Sequence, residues 1–406
     1  MDEYIYRNGG IFREMMVYLD NSATTRQYDK VTEAMAEAMR MTYGNPSSLH
    51  SMGVEAEKKV RQGRKSVARA IGAGEDEIYF TSCGTEADNT VLMGAAKAKA
   101  RKGKKIITTA VEHPAILEPT KALESMGFSV EYIGVDDKCR LNMEQLKEAL
   151  TEDSILISVM AVNNETGTIM PIEEIGKIKQ WYNDEHGTNI WLHTDAVQAF
   201  GKIPLDCRKN LAQVDFASLS AHKIHGPKGM GALWIRKGRN LPAYMMGGGQ
   251  ERHIRSGTEN TPGIVGFGAA ADISRENFQA RVSQMGRCRN YLLEGIKAEI
   301  GDILINSPEG EDAAPSVLNV SFLGTRGEVI LHTLEQNGIF VSTGSACSSN
   351  KKGMSHVLKA MGLKDREIEG AIRFSFSEFN TEEEMAYVLD KLKGAVAGFR
   401  RLGSFR

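Results

Sequence analysis

Hydrophobic positions along this chain alternate between two spacings. Short apolar runs read as strands, and between them apolar residues recur at steps of three and four, as helices require. Gly53, Ala56, Val60, Gly63, Val67 and Ile71 form one stripe with Lys and Arg between them, which predicts an amphipathic helix over 53–71. Residues 77–81 predict a strand and 86–98 the helix that follows. Residues 105–109, 130–135, 155–162, 190–193, 214–219 and 231–236 predict further strands. The run 155–162 is apolar on both faces, as a central strand of a mostly parallel sheet should be. Gly247-Gly248-Gly249 marks a break, and a long helical region starts near Pro262. After about residue 275 the rhythm changes. Residues 316–322 and 338–342 are strand-like, and 371–376 alternates, with Ile372, Phe374 and Phe376 on one face and Arg373 and Ser375 on the other. A last helix opens on the capping-box pair Thr381 and Glu384 and carries Met385, Val388, Leu392, Val396 and Phe399 on one stripe.

The pattern predicts an α/β chain. A large domain over 17–275 carries the mostly parallel sheet, and a smaller α+β domain over 276–406 is completed by the N-terminal arm. Residues 1–16 read as an extension outside the pattern, either floppy or upstream of a natural start at Met15 or Met16. The 406-residue length fits this division. Hydrophobic residues at 41% and charged residues at 25% exclude wholesale disorder. A net charge of −2 leaves no global basic field for nucleic acid, and no stretch approaches about 18 consecutive apolar residues, so a membrane-spanning helix is not expected. The five cysteines, Cys83, Cys139, Cys207, Cys288 and Cys347, are dispersed, with no C-x-x-C. They argue against a disulfide framework or a zinc knuckle and for a reducing, cytoplasmic setting. The first residues have no apolar core of a secretory signal.

Three segments, each following a predicted strand, carry candidate chemistry. In Ser218-Leu219-Ser220-Ala221-His222-Lys223, a strand ends in hydroxyls and a lysine that can attach covalently to an aldehyde cofactor; on spacing alone it reads sooner as a surface lysine, since strand-end lysines are common. In Trp191-Leu192-His193-Thr194-Asp195-Ala196-Val197-Gln198, an apolar strand ends in an acid. That acid can keep a pyridine nitrogen protonated or cap the next turn, and Gln198 can bond a ring hydroxyl. In Thr81-Ser82-Cys83-Gly84-Thr85-Glu86, small and hydroxyl residues open a helix and can seat a phosphate, though it is neither a Walker loop nor G-x-G-x-x-G. Together a phosphate seat, an acid and a lysine at one sheet edge fit pyridoxal 5′-phosphate (PLP).

The phrases LDNSATT, NPSSLH, FTSCGTEADN, VEHPAI, VNNETG, HTDAVQ, SAHKIHGPKG, RSGTEN, STGSACSS, SHVLKAMG and IRFSF occur in order between about residues 17 and 395. In these phrases the chain resembles the PLP-dependent cysteine desulfurases, the NifS/IscS-like members of the class-V aminotransferase superfamily. The resemblance implies the aspartate aminotransferase-like PLP-transferase fold and a homodimer. It implies that Lys223 carries PLP and shuttles protons, that Asp195 pairs with the ring nitrogen and Gln198 with the ring hydroxyl, and that His113 stacks on the ring and serves as acid or base. Gly84, Thr85, Ser220 and His222 would hold the phosphate, and Thr258 would reach the phosphate of the second subunit. Asn164 and Arg373 would orient the carboxylate of the substrate, L-cysteine. Cys347, set among small polar residues ahead of Lys351 and Lys352, would take the sulfur as a persulfide, leaving alanine, and pass it to an acceptor protein such as an iron–sulfur scaffold or a thiolation enzyme.

Two rivals share the residues. An aminotransferase or β-lyase on the same fold would not need Cys347, and a retired, non-catalytic relative would have lost Lys223 or Asp195. His222 and His225 stand three apart but gather no further ligands, so no metal is expected. Cys83 stands beside the phosphate seat, where many relatives have glycine. It reads as a small buried residue or as a second thiol that accepts sulfur. The chain stops at Arg406 and lacks the longer tail with which some relatives dock a scaffold, so that docking is left open.

Overall fold

The computed structural model describes residues 5–7, 10–12, 16–343 and 354–403. Its centre is a seven-stranded sheet. In spatial order the strands are Ile78–Thr81, Gly231–Ile235, Phe216–Ser220, Trp191–Asp195, Ser154–Ser158, Lys105–Thr109 and Ser129–Ile133. Gly231–Ile235 runs antiparallel to both its neighbours, and the remaining pairings are parallel. All strands but that one therefore end on one edge, where the candidate chemistry was expected. Helices cover both faces, which is why the inner strands are buried throughout and read as near-continuous apolar runs. On one face Ser51–Ala70 packs against Thr261–Glu276, and the backbones nearly touch. A Cβ built on Gly268 would lie 2.7 Å from the Cα of Gly63, so this crossing admits only glycine there.

A second core lies apart from that sheet. The antiparallel strands Ile303–Ile305, Val317–Phe322 and Ala371–Ser375 pack with the helices Phe278–Glu299 and Glu382–Gly403. Val17 and Leu19 are buried in this core, and Val17–Tyr18 pairs in parallel with Ile339–Phe340. The last helix has the expected capping box, with Glu384 N donating to Thr381 Oγ1 and Thr381 N to the Glu384 carboxylate.

Some expected bounds shift. The strand expected over 155–162 covers Ser154–Ser158, because its neighbour ends at Thr109 and the Met160 N–H turns to the Glu112 carboxylate instead. Residues 159–162 lead into the turn that carries Asn163 and Asn164. Of the strand expected over 338–342, Ile339–Phe340 forms, with a separate bridge from Ser342 to Arg373. Within the N-terminal extension, Ile5–Arg7 and Gly10–Phe12 form a two-stranded antiparallel ribbon.

The start of the strand Trp191–Asp195 is fixed by a buried charge cluster. Asp215 accepts from Leu192 N (2.7 Å), Lys179 Nζ (3.1 Å) and Arg239 Nε (2.7 Å). Burial already pushes the Lys179 ammonium below its usual pKa. Asp215→Leu leaves that lysine buried without its carboxylate and is expected to cost about 3–5 kcal/mol in urea unfolding, with Lys179→Met on the same chain recovering most of it.

Candidate active site

Four strand ends supply the site. Lys223 closes a short turn after Phe216–Ser220, and Asp195 ends its neighbour. Asn164 follows Ser154–Ser158, and His113 follows Lys105–Thr109 as the cap of the helix Pro114–Ser125. The order of strands reverses between the last two, the crevice position where open α/β sheets bind ligands.

The N-terminal turn closes this edge. Lys223 Nζ donates to the carbonyls of Ser22 and of Ala23 (2.7 Å for Ala23), and Gln198 Nε2 also donates to Ser22 O (2.9 Å). His222 Nδ1 meets Thr24 Oγ1 at 3.2 Å, and Thr25 Oγ1 donates to His222 O. LDNSATT thus contributes backbone acceptors to the lysine and the glutamine. Sequence reasoning used the phrase for family likeness and gave it no part in the site.

Arg373 is 2% exposed. Its Nη2 donates to Asp20 Oδ1 (2.9 Å) and its Nη1 to the carbonyl of Asn164 (3.1 Å), while Nε is buried without an acceptor. Asp20 was not anticipated. A guanidinium offers five N–H donors, so with two engaged the others remain for a carboxylate.

The helix Gly84–Lys99 begins over the Asp195–Gln198 turn. A Cβ on Gly84 would lie 2.6 Å from Val197 Cγ2, so glycine is needed for the helix start to come this close. The Cys83 side chain makes no capping bond, the first-turn N–H groups have no partner within the helix, and the buried Oγ of Ser220 is without a partner. Thr85 opens the first turn and is exposed. Glu86 stands beneath: burial raises its pKa, but bonds from Ser82 and Arg255 outweigh this and hold it low. Arg255 leads into the loop bearing Thr258, which is exposed. Before it, Glu251, Arg252 and His253 all take left-handed backbone (φ 44°, 52° and 68°), a strained run for non-glycine residues. Glu251 is gripped by both Nη groups of Arg64 and by Phe80 N, which holds the run in place.

Burial sets the charges. His113 is pushed down to about 4 by burial, then by Lys223 and His356, and His222 is likewise pushed down to about 4 by burial and Lys223. Both rings are neutral at pH 7. Because His113 Nδ1 accepts from Ala115 N, its Nε2 carries the hydrogen. Burial raises both Asp195 and Asp88, while Lys223 lowers Asp195, so Asp195 is the one that ionises first. His193, between Ser158 and Ser218 Oγ, is held neutral by burial. Among the described residues no three His, Cys, Asp or Glu side chains gather for a metal. His225 instead bonds the Arg26 carbonyl and pairs with Glu378. Cys139 and Cys288 are buried thiols pushed up to about 12 and about 11, and Cys83 is half-buried beside Ser82. Cys347, with Lys351 and Lys352, lies outside the described residues.

A lysine at a strand end, an acid on the next strand and an open helix start, all on one edge of the sheet, define a PLP-dependent transferase of the mixed α/β type. The chain belongs to the class-V aminotransferase family, whose model matches residues 17–388. It is 44% identical over 377 residues to "Cysteine desulfurase IscS" of Clostridium botulinum, covering 93% of each chain. It is 42% identical over 390 residues to "Cysteine desulfurase IscS" of Dictyoglomus turgidum, covering 96% of this chain and 97% of that one. Among solved structures, a "NifS-like protein" superposes with a TM-score of 0.87 at 42% identity, over 94% of this chain and all of the other. The cofactor of the family is PLP, and the residues present fit it. The orphaned Ser220 hydroxyl and the helix start at Gly84 suit a phosphate, Asp195 suits a ring nitrogen, and Lys223 suits an aldehyde carbon.

Glu112, beneath this edge, is pushed up to about 8 by burial and bonds Met160 N and Thr109 through one oxygen. A carboxyl whose folded pKa exceeds its unfolded value favours the fold at low pH, and that contribution is lost as pH rises from about 4.5 to about 8. Glu112→Gln is therefore expected to gain stability relative to the parent chain as pH increases across this window. Urea midpoints at several pH values test it, and a constant difference between the two proteins would refute the raised pKa.

Proposed function

We propose that this chain is a cysteine desulfurase that takes sulfur from L-cysteine, releases L-alanine and carries the sulfur as a persulfide on Cys347. The observation that carries the reading is that Lys223 lies close enough to Asp195 to lower its pKa, with the buried Arg373, whose Nε has no acceptor, near the same group of charges. When bound, PLP supplies an electron sink that acidifies the substrate Cα and loosens its Cβ–S bond.

The chain's own groups do the rest. Arg373, aimed by Asp20 and the Asn164 carbonyl, grips the substrate carboxylate with its remaining donors, beside the Asn164 side chain. Lys223 Nζ, released from the Ser22 and Ala23 carbonyls, moves the proton at Cα. Asp195 holds a proton on the ring nitrogen, while Gly84, Thr85, Ser220 and His222 seat the phosphate and Gln198 meets the ring hydroxyl. His113, neutral, lies against the ring as a stacking partner and as a donor through Nε2. The Cys347 thiolate attacks the substrate sulfur. An S–S bond forms as the Cβ–S bond breaks, the bonding pair stays with Cβ, and a proton delivered there completes alanine. An acceptor thiol then receives the outer sulfur and frees Cys347. The acceptor is a protein of the iron–sulfur assembly or thiolation kind, and the dispersed thiols suit a reducing, cytoplasmic setting. Among the described residues no helix is long and apolar enough to cross a membrane.

Incubation with L-cysteine, without reductant, is expected to give alanine and a mass gain of sulfur on Cys347. Lys223→Ala is expected to lose at least about 10³-fold in alanine formation, and Cys347→Ser to form no persulfide. Alanine with free sulfide and full turnover in Cys347→Ser would point to a lyase instead.

A homodimer completes the site in this reading. Met41 (73% exposed), Tyr43 (73%) and Leu49 (98%) form an apolar stretch that one chain leaves in water, and Thr258 is exposed too. Sedimentation is expected to give twice the chain mass. Thr258→Val is expected to weaken cofactor retention about tenfold, the cost of one hydrogen bond to a charged group. A monomer with full cofactor content would refute the shared site.

A further inference from the structure

Lys202 is 3% exposed, yet nothing in the reaction described above uses it. It follows the strand Trp191–Asp195 on a short helical turn, in which Phe200 N donates to Ala196 O and Lys202 N to Ala199 O. That turn brings its Nζ to 2.9 Å from Gln198 Oε1. Burial first, and then Lys223, Arg281 and Arg373, push its pKa down to about 7, while Glu378 favours the ammonium. A cation buried mainly among cations is costly, so its retention points to work on its one amide acceptor.

Lys202 Nζ donates to Gln198 Oε1, and its charged form, present below about pH 7, can only donate, whereas an amide donates at one end and accepts at the other. With Lys202 on one side, Gln198 turns Oε1 toward it, and its Nε2 then faces the other way, where it donates to Ser22 O. The geometry points to Lys202 as a positioning residue: its buried Nζ fixes the polarity of the Gln198 amide, so that N–H rather than carbonyl oxygen meets the hydroxyl of the cofactor ring. The inference rests on the cofactor reading above and adds to it the group that sets the donor's direction. A donor on the ring oxygen stabilises its negative charge and weakens its hold on a neighbouring proton. The visible absorption of the bound cofactor then titrates at lower pH.

The test is a pH titration of that absorption in the purified holoenzyme. Lys202→Met is expected to raise the apparent pKa by about one unit, a tenfold gain in proton affinity. Lys202→Arg, which keeps a donor-only cation, is expected to stay close to the parent. Lys202→Leu substitutes for the Met variant if that one does not fold. Loss of the lysine's charge alone would also raise the pKa, and the Gln198→Leu background separates the two causes. If Lys202 acts through Gln198, Lys202→Met adds little there. A full additional shift in that background, or no shift in the parent background, overturns the inference while leaving the cofactor reading intact. A parent protein that binds no PLP at all overturns both. In steady state the expected change is a fall in kcat of about tenfold with KM nearly unchanged, the pattern of an interaction made in the transition state.

Discussion

The carbonyl of Ser22 receives hydrogen bonds from both Lys223 and Gln198, and the site is organised around that shared acceptor. Its own position is set from the other side. Ser22 N donates to Ser375 Oγ, Asn21 Nδ2 to Ser375 O, and Asp20 pairs with Arg373, so the turn is pinned to the small antiparallel sheet. One short segment thereby ties the lysine of the parallel sheet to the arginine of the other. A displacement of either sheet would move the amine and the guanidinium relative to each other. Since both must engage one small amino acid, this turn fixes the distance that matters most.

Much of this was legible in the sequence because it depended on local periodicity. The parallel strands are apolar runs, and Lys223, Asp195 and Gly84 stand where those runs stop, so a shared edge followed from topology alone. What escaped is non-local. Ser22 and Lys223 are 201 residues apart and meet through a backbone carbonyl, which no side-chain pattern announces. Asp20 reaches Arg373 across 353 residues. Glu112 was passed over as one acid in VEHPAI, yet its carboxyl ends the strand expected to continue to Val162. Lys202 drew no reading from the sequence, because charge spacing says nothing about burial. One retrospective signal existed: a lysine four residues after a glutamine, on a turn that follows a buried strand.

The balance of charge explains why so many costly groups persist together. Lys223, Arg373 and Arg281 all lie close enough to Lys202 to lower its pKa, after burial. Such a cluster destabilises an empty fold, and the part of its cost that internal ion pairs leave is offset when anions arrive. A phosphate, a ring oxygen and a substrate carboxylate are three anions, each suited to a different part of the cluster. Asp20 on Arg373 and Glu378 on Arg281 supply part of that compensation, and the other carboxyls nearby add little. Burial raises Glu112 and Asp88 away from ionisation, and Glu165, raised to about 7, is occupied by Ser355. Holding nearby acids neutral and nearby histidines uncharged keeps the positive potential aimed at the cleft, so the pocket attracts its ligands most strongly where its own internal pairing is least complete.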